Sequence, residues 1–140
     1  MEARSAASSI KVRLVVTSGN VHPEEVSSFL GVAPSKTWLQ GETVHPKATN
    51  VHKENGWVLS IEGRSGELVA ERIVDRLIAL IPAGRLAALC RQHQGSIEVE
   101  LSVVAHVSGA EVSPAISLSP TQVAFLAECG GAFDVDLYLR

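Results

Sequence analysis

The sequence predicts an α+β protein built as a two-layer sandwich, and three observations lead there. Four segments alternate apolar and polar residues with the period of a half-buried strand. Other segments repeat apolar residues at helical spacing. Proline and glycine stand at the boundaries between the two kinds. With 140 residues, 46% of them hydrophobic, the chain can fill one core without disulfide or metal support. We therefore expect one domain over residues 10–140, preceded by a small, polar, flexible lead over residues 1–9.

The elements follow in order. Ile10, Val12, Leu14 and Val16 alternate with Lys11, Arg13, Val15 and Thr17, a strand with one face in the core. Pro23, Glu24 and Glu25 open a short helix and Gly31 closes it, because proline fits the first turn and carboxylates favour the positive end of the helix dipole. Val26, Phe29 and Leu30 form its inner side. From Val32 to Asn55 the chain is rich in Pro, Gly, His and Lys, too long for a plain connection and so either an ordered surface loop or a mobile one, the segment best suited to flexibility. Trp57, Leu59 and Ile61 alternate with Val58, Ser60 and Glu62 and predict a second strand ending near Gly63.

Val69, Ile73, Leu77 and Leu80 recur at helical spacing over Leu68 to Ile81, and Pro82 ends that helix. Leu86, Leu89 and Cys90 line a shorter helix closed by Gly95. Ile97, Val99, Leu101, Val103 and Ala105 then face one way, and Glu98, Glu100, Ser102, Val104 and His106 the other. Ser119 and Pro120 suit the cap and first turn of a last helix that buries Val123, Leu126 and Phe125, with Gly130 and Gly131 at its exit. The final strand runs from Phe133 to Leu139, turning Phe133, Val135, Leu137 and Leu139 inward and Asp134, Asp136 and Tyr138 outward. The order β-α-β, helical insert, β-α-β suits the ferredoxin-like sandwich, a four-stranded, mainly antiparallel sheet with helices on one face. Pro23 with Val26, and Pro120 with Val123, hint at a degenerate internal duplication.

Charge then bears on function. A net charge of −3 and a pI near 5.9 lack the basic stripe that displaces phosphate counterions, so nucleic acid is not expected as a partner. No apolar run reaches the roughly 18 residues that would span a bilayer, and the start has no signal-peptide core. A cytoplasmic protein without membrane contact is the expectation. On the polar sheet face Lys11 and Arg13 come from one strand, Glu98 and Glu100 from another, and Asp134 and Asp136 from a third. Opposite charges on neighbouring strands gain roughly 0.2–1 kcal/mol per pair, which predicts the basic strand between the two acidic ones. Such a face is either a solvated surface that sets register or a binding surface. Tyr138 is its one aromatic residue, too little for RNA bases to stack on.

Motifs for chemistry are sparse. Cys90 and His93 lie one turn apart, and His45 and His52 share the long loop, but no second paired ligand motif completes a zinc site. Asp134 and Asp136 could act as acid and base, yet no nucleophile or oxyanion donor stands near them. No phosphate cradle, dinucleotide fingerprint or serine elbow occurs. Cys90 and Cys129 read as reduced core thiols unless the fold brings them together. We therefore expect no catalytic residues, no metal and no cofactor.

Val26 to Gly31, Trp38 with Gly41, Gly56 with Trp57, Ser117 to Pro120, and Gly130 through Asp136 to Tyr138 resemble a bacterial family known only as domain of unknown function 4279. The resemblance runs from about Val12 to Tyr138. It carries Leu30, Gly31, Trp38, Gly41, Trp57, Leu118, Gly130, Asp136 and Tyr138 over, and it implies no activity. The leading functional expectation is a non-catalytic interaction module, immunity-like in character. It would use Glu98, Glu100, Asp134, Asp136 and Tyr138, or the Trp38 loop, to hold a protein partner: a basic protein or a second copy. The alternative is a small-molecule or enzymatic pocket between the long loop and the sheet, lined by Trp38 and Trp57.

Overall fold

The computed structural model describes residues 7–109 and 113–139. Its elements are β1 (Ser9–Ser18), α1 (Pro23–Leu30), β2 (Lys36–Trp38), β3 (Asn55–Glu62), α2 (Ala70–Ala79), α3 (Arg85–Gln92), β4 (Glu98–Val107), α4 (Pro120–Glu128) and β5 (Ala132–Leu139). Most of the expected flexible lead lies outside the described residues; Ser8 is already buried and Ser9 opens β1.

One five-stranded sheet in the order β2-β3-β1-β4-β5 replaces the expected four-stranded sheet. The added strand is β2, inside the segment predicted as loop. It pairs antiparallel with β3, Trp38 opposite Gly56 and Lys36 opposite Val58. Between β2 and β3 the chain turns back on itself, tied by Gly41 N–H to His52 C=O (2.9 Å) and Val44 N–H to Asn50 C=O (3.1 Å). This excursion changes the topology. β1-α1-β2 is the parallel unit, and β3 returns antiparallel into the gap between its strands.

β1 also pairs antiparallel with β4, so both its edges are filled. The crossover β4-α4-β5 is parallel and sets β5 on the outer edge of β4. The expected placement of the basic strand between two acidic ones is therefore wrong. The acidic strands β4 and β5 are neighbours, because no edge of β1 remained for β5.

Ile10, Val12, Leu14 and Val16 of β1 are almost fully buried with Trp57 and Leu59 of β3 and Leu101, Val103 and Ala105 of β4. They share one core with Val26 and Leu30 of α1, Ile73, Val74 and Leu77 of α2, and Leu86 and Leu89 of α3. The α1 end is set by Gly31 at φ 71°, a left-handed conformation in which only glycine carries no Cβ penalty. In α4 the expected inner residue Val123 is 52% exposed, and Gln122 is buried in its place. Gln122 and Ser119 form a reciprocal capping box. Gln122 Nε2 also donates to Glu71 C=O (2.8 Å) and Asp75 Oδ1 (2.7 Å), which docks α4 on α2. Val26 and Val123 thus occupy unlike environments, and the suggested duplication finds no support there.

Candidate functional site

The face of the sheet opposite the buried aliphatics is organised in rows by the strand register. Glu62, Lys11, Val104 and Asp136 stand side by side across β3, β1, β4 and β5. Ser60, Arg13, Ser102 and Asp134 form the next row. Lys36, Val58, Val15, Glu100 and Ala132 form another, Trp38, Gly56, Thr17 and Glu98 a fourth, and Ser9, His106 and Tyr138 the row at the opposite end. Because successive strand residues point to opposite faces, this register places Trp38, Glu98, Glu100, Asp134, Asp136 and Tyr138 on one surface. Six of the seven sequence-predicted site residues are therefore brought together.

Trp57 is the exception. It faces the helices, is fully buried, and its indole N–H donates to Ser27 Oγ at 3.0 Å. Trp38 is on the opposite face of the sheet, half-buried and stacked on His52 with centroids 4.7 Å apart. The expected pocket lined by both tryptophans is thus excluded, since Trp38 shares a face with its cross-strand partner Gly56, and Trp57, the next residue along β3, turns to the other side.

The open face has a basic middle and acidic flanks. Lys11 and Arg13 are half-buried on the central strand and make no ion pair among the described residues. Lys36 adds a third cation, 5.7 Å from the centre of the Trp38 ring. A shallow concavity of about 690 Å³ lies between these cations and His106, Asp136 and Tyr138. His106 stacks on Tyr138 across β4 and β5, centroids 4.9 Å apart and planes 17° from parallel. Lys36, Ser60 and His106 were not among the predicted site residues. The alternation in β3 and β4 placed Ser60 and His106 outward, but nothing in the sequence marked Lys36 as a strand residue.

β5 closes this surface and differs from every other strand. All eight of its residues are exposed. Phe133, Val135, Leu137 and Leu139 do point to the helix side, beside Leu101, Val103, Ala105 and Val107. Yet they remain exposed, at 40%, 37%, 57% and 80%, because the helical layer does not extend over them. The expectation that they are core residues is corrected: orientation was right and coverage was not.

The remaining candidates have structural partners. His22 Nδ1 accepts from Glu24 N–H at 3.1 Å and caps α1. Cys90 contacts Cys129 through a thiol hydrogen bond that lowers the Cys90 pKa, and the same contact with burial raises that of Cys129. His93 instead approaches Glu25, Nε2 to Oε2 3.7 Å. The Cys90 and His93 side chains thus engage different neighbours. Among the described residues no helix is long and apolar enough to cross a membrane.

Residues 8–140 match the family described as Domain of unknown function (DUF4279). The chain belongs to that family. No curated protein and no solved structure matches it. Most residues that carried the DUF4279 resemblance have work inside the fold. Leu30 and Trp57 are core. Gly31, Gly41 and Gly130 take positive φ, and Leu118 packs on the core rim. In this DUF4279 chain Asp136 and Tyr138 carry exposed polar side chains, side by side with Val104 and His106 on the open face.

Proposed function

We propose that this chain is a non-catalytic protein-interaction module whose contact surface is the β4–β5 half of the open sheet face, with Glu98, Glu100, Asp134, Asp136 and Tyr138, continued over the edge of β5. The observation that carries the reading is the exposure of β5 along its full length. An edge strand offers unpaired N–H and C=O groups and is normally kept short, charged or covered. β5 is long and uncovered, with apolar residues on one side and carboxylates on the other, a surface suited to strand addition by a protein partner. The carboxylates beside it favour a basic partner and speed its approach. A bacterial cytoplasmic role, including neutralisation of a basic toxin, agrees with this composition.

The test is affinity capture from the native host with the full chain as bait. A stoichiometric protein retained at low salt, released at high salt, and lost with the double variant Asp134→Lys, Asp136→Lys supports the reading. Recovery of no stoichiometric protein at low salt overturns it.

A second reading takes the concavity of about 690 Å³ as a site for a small organic anion, favoured by Lys11 and Arg13, which line it and make no ion pair among the described residues. Polycarboxylates and phosphate esters should then raise the melting temperature saturably. The rise should vanish in Arg13→Ala. No stabilisation by either class removes this reading.

A further inference from the structure

We infer that this protein forms a two-fold dimer in which β5 pairs antiparallel with β5 of a second copy, with Leu137 at the axis, joining two five-stranded sheets into one. The inference rests on the interaction-module reading and assigns the edge of β5, as distinct from the carboxylate face beside it, to a second copy of this chain. It begins with the difference between the two edges of the sheet. β2 is three residues long and carries Lys36 after Pro34, two ordinary safeguards against edge pairing. β5 is eight residues long with no proline, glycine or lysine, and its two charges, Asp134 and Asp136, stand in its first five residues and leave Leu137 to Leu139 without one.

Exposure along β5 shows where cover is missing. The helix layer reaches only its start, where Leu126 of α4 lies against Gly131. Exposure is 40% at Phe133 and 37% at Val135, then 57% at Leu137 and 80% at Leu139. The cover is therefore needed over the second half of the strand.

The pattern of charge on β5 then selects a second copy in one register. Around a two-fold axis normal to the sheet, residues equally far before and after the central residue face each other. Centring on Val135 sets Asp134 against the partner's Asp136, and centring on Asp134 or Asp136 sets a carboxylate against itself; like charges directly opposite are unfavourable. Centring on Leu137 avoids both. Leu137 then meets the partner's Leu137, and Val135 meets the partner's Leu139, on the helix side. On the open side Asp136 meets the partner's Tyr138, a carboxylate acceptor opposite a phenol donor, and the symmetry repeats that pair. Tyr138 is held for this by its stack on His106. Of the registers that keep carboxylates apart, this one aligns the longest run of β5, and it puts the most exposed leucines at the contact. A strand of an unrelated protein would reproduce the backbone pairing but not this self-complementary order of Asp136, Leu137 and Tyr138.

The experiment is sedimentation equilibrium on the full chain over a wide concentration range, with cysteine cross-linking. The wild type is expected to reach twice the 14.8 kDa chain mass. Leu137→Lys, at an exposed position, is expected to stay folded by circular dichroism and monomeric. Leu137→Cys is expected to form a disulfide-linked dimer on mild oxidation, which Asp136→Cys does not, because its opposite residue is Tyr138. The unsubstituted chain controls for Cys90 and Cys129. A wild type that stays monomeric at every concentration overturns the dimer, and so does a dimer that survives Leu137→Lys without cross-linking through position 137. In either case the affinity capture above decides separately whether the interaction-module reading stands: a basic host protein retained there would keep it, and an empty bait would remove it.

Discussion

The indole of Trp38 on β2 lies directly over its cross-strand partner Gly56 on β3, so that a Cβ at position 56 would fall 2.0 Å from Trp38 Cε2. The ring fills the space a side chain would take and shields a glycine within a strand, which is otherwise a weak point. Gly56→Ala should displace the indole and break its stack on His52. A loss of about 1–3 kcal/mol is expected from such overpacking, read by urea denaturation alongside a change in tryptophan emission. An unchanged midpoint would contradict the close approach.

Gln122 makes a second point of stability where apolar spacing expected none. Its side chain accepts from Ser119 N–H (2.9 Å) and donates to Glu71 C=O and Asp75 Oδ1. Gln122→Ala should cost about 1–3 kcal/mol through the lost cap and the buried groups left without partners. Val123→Ala, one residue on and exposed, should stay within about 0.5 kcal/mol of wild type. Equal effects at both positions would count against the observed rotation of α4.

Acid should weaken the fold through Glu67. The two hydrogen bonds from Arg76, both 2.7 Å, and the Arg64 backbone N–H hold its carboxyl at about 2, below the ordinary 4.5. A depressed folded-state pKa contributes stability that is present above the ordinary value and lost as pH falls toward the folded one. Wild type should therefore lose stability between pH 4.5 and about 2 by an amount that Glu67→Gln does not show. Parallel acid titrations of the two proteins would rule this out.

Thiol reactivity should separate the two cysteines. The Cys129 hydrogen bond lowers the Cys90 pKa, while Cys129 is raised above the usual thiol range. With rising pH, iodoacetamide should label Cys90 first, since the thiolate is the nucleophile. Cys129→Ser should change the pH at which Cys90 is labelled. Peptide mapping that finds Cys129 modified first would overturn the assignment.

Much of this architecture was legible in the residues, and the failures have physical causes. Alternation in β1, β3 and β4 reported which side chains share a face, and Pro23, Gly31, Ser119 and Pro120 marked real helix ends. β2 was invisible because three residues carry no period; Lys36, Thr37 and Trp38 form a strand only by pairing with β3. Sheet order failed for the same reason, since the Val32 to Asn55 excursion reversed β3. In β5 the period correctly aligned Val135 and Leu137 with the core face, but a period cannot say whether anything lies above that face. α4 failed differently: Gln122 turned inward because its hydrogen bonds outweighed the apolar claim of Val123. Glu98, Glu100, Asp134, Asp136 and Tyr138 converged because they rest on alternation, and Trp38 joined them only through the pairing of β2 with β3. Trp57 did not, because the reading grouped it with Trp38 by nearness to the loop, and adjacent rows of a sheet look in opposite directions.

That last geometry leaves the molecule with two natural spectroscopic probes. Trp57, sealed in the interior, should emit in the blue and resist aqueous quenchers, whereas half-buried Trp38 should emit at longer wavelength and be quenched more readily. A titrant that changes only the quenchable component has met the outer surface near β2, and one that moves the blue component has loosened the interior. An unlabelled sample can thus distinguish docking from unfolding in one fluorescence scan.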